Sequence, residues 1–166
     1  DYDKSIDFFK FIVQAEYKRH KKILENNKIT DEEREIYKRI LSGKTNESEY
    51  GFSLKFLSDC LSEVYEKNVI ILIDEYDVPL ENAYFCGFYD KMVSFIRSVF
   101  ESVLKTNPSL EFAILTGCLR ISKESIFTGL NNLKVYPITE NIFSQYFGFT
   151  QEEVEELAVS YDLADR

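Results

Sequence analysis

The chain has 166 residues, 45% apolar and 30% charged, with fourteen Phe and eleven Tyr, a globular balance that supports a packed interior and excludes a disordered chain. Twenty-nine acids against twenty bases leave a net charge of −9, the wrong sign for a free-standing nucleic-acid binder, so nucleic acid is not expected as a partner of this segment. No signal peptide is expected, and the longest apolar run, Val69–Ile73, is far too short to span a membrane, so a cytoplasmic location is expected.

Cys60, Cys86 and Cys118 are odd in number and widely spaced, which argues against a disulfide framework or a zinc site and predicts reduced, buried thiols. The single histidine, His20, sits among Lys18, Arg19, Lys21 and Lys22 and reads as a solvated helix position. Asp1 opens almost directly on a helical pattern without an initiator Met, and Arg166 stops just after another. The expectation is a piece of a longer protein.

In chain order, residues 4–24 predict an amphipathic helix with Phe9, Ile12, Val13 and Tyr17 on one stripe. Thr30 with Glu33 is a capping box for a second helix carrying Ile36, Tyr37, Ile40 and Leu41, with Gly43 at its C-terminal stop. A polar loop is expected from Lys44 to Tyr50, then a third helix with Leu54, Leu57, Leu61 and Val64 on one face.

Val69–Ile73 changes the pattern: five apolar, mostly β-branched residues predict a strand buried on both faces of a parallel sheet. Tyr76–Pro79 is expected to be a turn, with Pro79 holding Val78 out of helix. A long helix is expected over residues 87–105, ended by Asn107-Pro108, then a second strand at Leu110–Leu115. A loop and short helix follow from Arg120 to Leu130, a third strand at Lys134–Ile138, and a terminal helix opened by the Thr150–Glu153 capping box.

The predicted class is α/β: a partial P-loop NTPase-like parallel sheet of about three strands flanked by helices, with a helical N-terminal third. Residues 1–66 are expected as a helical segment and residues 67–166 as the Walker-B and sensor half of an ATPase core.

The chemistry is carried by Ile70-Ile71-Leu72-Ile73-Asp74-Glu75. A buried parallel strand delivers its last residues to the carboxyl edge of the sheet, where ligands bind. Asp74 there can hold Mg²⁺ while the metal bridges nucleotide phosphates, and Glu75 can orient or deprotonate the attacking water. One strand later, Ala113-Ile114-Leu115 ends in Thr116-Gly117. The Thr116 hydroxyl suits a γ-phosphate or lytic-water sensor, and Arg120 could approach the same phosphate. The bland alternative is a strand end, a glycine turn and a surface ion pair for Arg120.

Val69–Pro79, Glu81-Asn82-Ala83-Tyr84 and Leu115–Leu133 (LTGCLRISKESIFTGLNNL) resemble the bacterial AAA-ATPase-like family, whose members often carry a C-terminal restriction-endonuclease-like nuclease domain. The resemblance covers most of residues 50–160. It implies a P-loop ATPase core that uses Mg²⁺ and ATP.

Such chemistry needs G-x-x-x-x-G-K-[ST] between a strand and a helix. Gly43-Lys44-Thr45 matches the last three positions, but the first Gly would fall on Lys38 and the preceding element is helical. It is a decoy. The resemblance places the Walker A motif upstream of Asp1, so this chain alone is expected to hold no nucleotide tightly. The Leu110–Leu115 edge should also be left unpaired and open to self-association.

Asp77 and Glu81 could enlarge an acidic cluster for metal-dependent nuclease chemistry, but a turn is the favoured reading. Lys123 and Glu124 read as exposed, Tyr84–Tyr89 as core at a helix start, and Gln151–Glu156 as a solvated helix face. The alternatives to an ATPase are a non-enzymatic interaction scaffold built on the same fold, or part of a nuclease-associated protein.

Overall fold

The structure is a computed structural model that describes residues 1–105, 107–118, 126–127, 130, 133–137, 139–146 and 148–163. It divides into two compact units, residues 1–131 and 132–166.

The first unit begins with α1 (Tyr2–Arg19), α2 (Asp31–Leu41) and α3 (Glu47–Tyr65), with a 3-10 turn at Lys21–Glu25. The Asp1 carboxylate caps α1 by accepting from the Lys4 amide. Its inward face is Ile6, Phe9, Val13 and Tyr17, whereas Ile12, expected on that stripe, points to solvent. Thr30 and Glu33 form the capping box of α2. Gly43, at φ +73°, closes that helix with a Schellman pair: its amide donates to Ile40 O (3.1 Å) and the Lys44 amide to Arg39 O (3.1 Å).

The expected Lys44–Tyr50 loop is shorter than predicted. Asn46 and Glu49 make a second capping box, and α3 begins at Glu47.

Three buried tyrosines tie these helices together through their hydroxyls. Tyr17 donates to Ser53 O (2.6 Å), Tyr37 to Tyr17 O (2.6 Å) and Tyr50 to Ile40 O (3.1 Å). Each ring fills core while its polar tip satisfies a backbone carbonyl. Burial raises the Tyr17 and Tyr37 phenols well above the ordinary 10.0, and the Cys60 thiol beside them is pushed from 9.0 up to about 12, again chiefly by burial.

A folded-state pKa above the unfolded value gives stability that is complete below the unfolded pKa and lost as pH rises through the folded one. The unfolding temperature is therefore expected to fall once pH climbs past about 9, first through Cys60 and then through the tyrosines. Tyrosinate absorbance from Tyr17 and Tyr37 should appear only with unfolding. A flat alkaline profile, or tyrosinate forming in a folded protein, would contradict this.

The buried-thiol expectation holds for Cys60 alone, since Cys86 and Cys118 are exposed. Both exposed thiols are expected to react with an aromatic disulfide reagent in the native protein, and Cys60 only after unfolding.

β1 (Val69–Ile73) and β2 (Leu110–Leu115) pair in parallel, with Ile71 opposite Ala113 and Ile73 opposite Leu115. Between them run α4 (Val78–Phe85), α5 (Tyr89–Phe100) and a π-helical turn at Glu101–Lys105. α3 packs along β1, the π-helical turn packs against β2, and Val69 joins the sheet to the tyrosine-centred core.

α4 replaces part of the turn expected over Tyr76–Pro79. Pro79 sits in its first turn, where a missing amide costs nothing, so it starts the helix rather than blocking it. Tyr84 and Phe85 at its end are exposed, so the aromatic cluster expected in the core lies largely on the surface.

The sheet is also covered differently from expectation. Ile70 (52%), Leu72 (71%), Phe112 (48%) and Ile114 (51%) remain exposed on one face, while the alternate residues are half-buried. Among the described residues of this unit, α3 and the π-helical turn pack on the sheet, and the Ile70, Leu72, Phe112 and Ile114 face stays exposed.

The second unit contains a 3-10 turn at Asn141–Tyr146 and α6 (Gln151–Ser160), opened by the Thr150–Glu153 capping box. The third strand expected at Lys134–Ile138 is not formed over residues 134–137, and Ile138 lies outside the described residues. Among the described residues the sheet therefore has two strands instead of about three. The short helix expected between Arg120 and Leu130 lies largely outside them.

Candidate functional site at the carboxyl rim of the sheet

Because β1 and β2 are parallel and in register to their last residues, their carboxyl ends emerge side by side. The ladder continues one step beyond the strands: the Thr116 amide donates to Ile73 O (2.9 Å) and the Tyr76 amide to Thr116 O (3.0 Å). Asp74 and Thr116 therefore meet at the rim where parallel sheets bind ligands. The Thr116 hydroxyl donates to Asp74 Oδ1, and its oxygen accepts from the Glu75 amide at 3.4 Å.

Asp74, Glu75 and Thr116 are all exposed. Among the described residues neither Asp74 nor Glu75 takes part in an ion pair. Both carboxylates are exposed and so accessible to an incoming cation.

Glu75 has φ +53°, in the left-handed region. For a residue with a Cβ this conformation costs roughly 1–2 kcal/mol, and it persists only where the surroundings impose it. Two other such residues, Glu66 and Asp162, stand just beyond helix C-termini, where a left-handed residue is a usual way to stop a helix. Glu75 instead turns the chain from the end of β1 toward α4: the Val78 amide donates to Glu75 O (3.2 Å), and Asp77 O accepts from Leu80 (3.0 Å) and Glu81 (2.9 Å). A sharp strand-to-helix turn of this kind lifts one side chain clear of the sheet edge.

Gly117 completes the mould. A Cβ there would lie 2.7 Å from Asp77 Oδ1 and 2.7 Å from the Tyr76 ring. The Tyr76 ring in turn packs edge-on against Phe127 (5.3 Å), which stacks on Phe100 (6.0 Å). Asp77 is buried (3%) against Gly117, in contrast to the exposed Asp74 and Glu75. Arg120, and with it Lys123 and Glu124, lies outside the described residues.

Among the described residues no three of His, Cys, Asp and Glu converge on a common point. Two exposed carboxylates with a neighbouring hydroxyl cannot cage a cation alone. They suit Mg²⁺, which keeps several waters and takes its remaining oxygens from phosphates.

A family model described as Predicted AAA-ATPase matches residues 5–127, a stretch that runs from the first turn of α1 through β2 and holds both strand ends and the Thr116-Gly117 pair. The chain belongs to this AAA-ATPase-like family. In this AAA-ATPase-like chain the match also takes in the three front helices. An uncharacterized protein in the vnfD 5′ region of Azotobacter chroococcum mcd 1 is 30% identical over 90 residues. That alignment covers 54% of this chain and 17% of the relative. No solved structure matches. The chain spans about one sixth of the length of the Azotobacter chroococcum relative. No described helix is long and apolar enough to cross a membrane.

Sequence reasoning missed two features of the rim: the left-handed backbone of Glu75 and the close approach at Gly117. Gly117 carried a signal, since a glycine directly after a strand-end Thr fits a tight approach as well as a turn.

Proposed function

We propose that this chain is the Walker-B and sensor half of a Mg²⁺-dependent ATPase whose phosphate-cradling loop lies outside these 166 residues. Asp74 holds Mg²⁺, directly or through a water. Glu75 orients and deprotonates the attacking water. Thr116 and Arg120 respond to the γ-phosphate. The observation that carries this reading is the adjacency of exposed Asp74 and Glu75 to Thr116 at one strand-end rim, with Glu75 held in a strained backbone. Strain of that kind, in a segment free of any helix-stopping role, is what a projecting functional side chain would explain.

Calorimetry with Mg-ATP tests the division of labour. The longer protein is expected to bind nucleotide in a Mg²⁺-dependent way, and the 166-residue chain weakly or not at all. Tight binding by the chain alone would show that the phosphate site is misplaced.

The scaffold alternative draws on the exposed apolar face of Ile70, Leu72, Phe112 and Ile114. β2 pairs with β1 alone among the described residues, and an edge without a partner there is open to pairing with another chain. The isolated chain is therefore expected to self-associate, with Leu72→Lys/Ile114→Lys reducing association without loss of helix. A monomer at all concentrations by light scattering would oppose the open-edge account.

A further inference from the structure

We propose that Thr116 is a positioning residue, acting through Asp74 and the Glu75 turn to set the metal carboxylate before any phosphate arrives. This rests on the ATPase reading above, and it changes what the sensor threonine does within it.

Four hydrogen bonds join Thr116 to the segment Ile73–Tyr76. Two are backbone bonds that extend the strand ladder (2.9 and 3.0 Å). The other two use the hydroxyl, which donates its proton to Asp74 Oδ1 and accepts from the Glu75 amide. A hydroxyl has one proton to give. While that proton is on Asp74 it cannot also be donated to a γ-phosphate oxygen. The bond instead fixes one oxygen of Asp74 and leaves Oδ2 with no partner among the described residues.

The acceptor side of the same hydroxyl holds the Glu75 amide in place within the left-handed turn. Gly117 lets the two segments approach this closely. Thr116 thus braces both acidic residues from the neighbouring strand. Outer partners of a metal ligand commonly contribute about 10–100-fold to metal affinity.

The test compares wild type, Thr116→Ser and Thr116→Val in the longer protein. Two readouts are needed: amide hydrogen exchange at Glu75 and Tyr76 without nucleotide, and Mg²⁺ dependence of ATP hydrolysis at saturating ATP. Thr116→Val is expected to speed exchange at Glu75 and to raise the half-saturating Mg²⁺ concentration by about 10–100-fold. Thr116→Ser, which keeps the hydroxyl, should restore both readouts.

A Thr116→Val variant with reduced turnover at saturating Mg²⁺ and an unaltered Mg²⁺ requirement would overturn the inference in favour of direct phosphate contact. Unaltered exchange and unaltered Mg²⁺ dependence would overturn it in favour of a passive strand end. Both results leave the ATPase reading standing. A wild-type protein without Mg²⁺-dependent nucleotide binding would remove that reading and this inference together.

Discussion

Glu75→Gln is expected to lower ATP turnover of the longer protein by about 100- to 10,000-fold, the usual contribution of a positioned general base, while Mg-nucleotide stays bound. Gln keeps the shape and hydrogen-bonding reach of Glu and removes only its basicity. The side chain is exposed and outside any ion pair among the described residues, so the fold should not notice the change.

Glu75→Gly supplies the complementary arm. Glycine adopts φ +53° without a Cβ penalty, so this variant is expected to be as stable as wild type or up to about 1 kcal/mol more stable, and as inactive as Glu75→Gln. Glu66, at φ +54° beyond α3, is the control: Glu66→Gly should leave turnover untouched. Single-turnover kinetics and thermal unfolding read these arms. Full turnover in Glu75→Gln, or a Glu75→Gly variant that is less stable than wild type, would count against a strained, functional Glu75.

Gly117→Ala is expected to destabilise the first unit by about 1–3 kcal/mol, the cost of forcing a methyl group into an occupied site. The new Cβ would stand 2.7 Å from Asp77 Oδ1 and from the Tyr76 ring. Neither neighbour moves cheaply. Asp77 is buried and opens α4, and the Tyr76 ring abuts Phe127, itself stacked on Phe100. Relief must therefore come from separating the two strand ends, which also pulls Thr116 from Asp74. Denaturant unfolding is expected to show a lowered midpoint with an unchanged slope. An alanine variant as stable as wild type would show that the close approach is not needed.

Much of this was legible in the sequence, and what was not has physical causes. β1 declared itself because five consecutive apolar, mostly β-branched residues suit little else at that length. α2 and α6 were readable from Thr30 with Glu33 and Thr150 with Glu153. Asn46 with Glu49 obeys the same spacing, yet it lies in a polar stretch that reads equally well as loop. α4 was hidden because only Leu80 and Ala83 are buried in it, which is too little periodicity to announce a helix, and because Pro79 reads as a breaker unless its position is known.

The exposed sheet face illustrates a different limit. An apolar run reports that burial is favourable, not that a covering element is at hand, and Leu72 remains 71% exposed. The same holds for residues 134–137, whose composition suits a strand but which have no strand partner among the described residues. At the rim, residue types and order pointed to Asp74, Glu75 and Thr116. Their mutual contact and the backbone of Glu75 depend on the register between β1 and β2, which no local pattern encodes.

Metal-directed cleavage tests the central claim most directly, because it reports place rather than activity. With Fe²⁺ substituted for Mg²⁺ in the presence of ATP, ascorbate and peroxide, radicals form at the metal and cut the nearby backbone. The account predicts ATP-dependent cuts within residues 74–77 and 116–118 of the longer protein, and their loss in Asp74→Asn. Cuts confined to other segments, or cuts at these two indifferent to ATP and to Asp74→Asn, would contradict it.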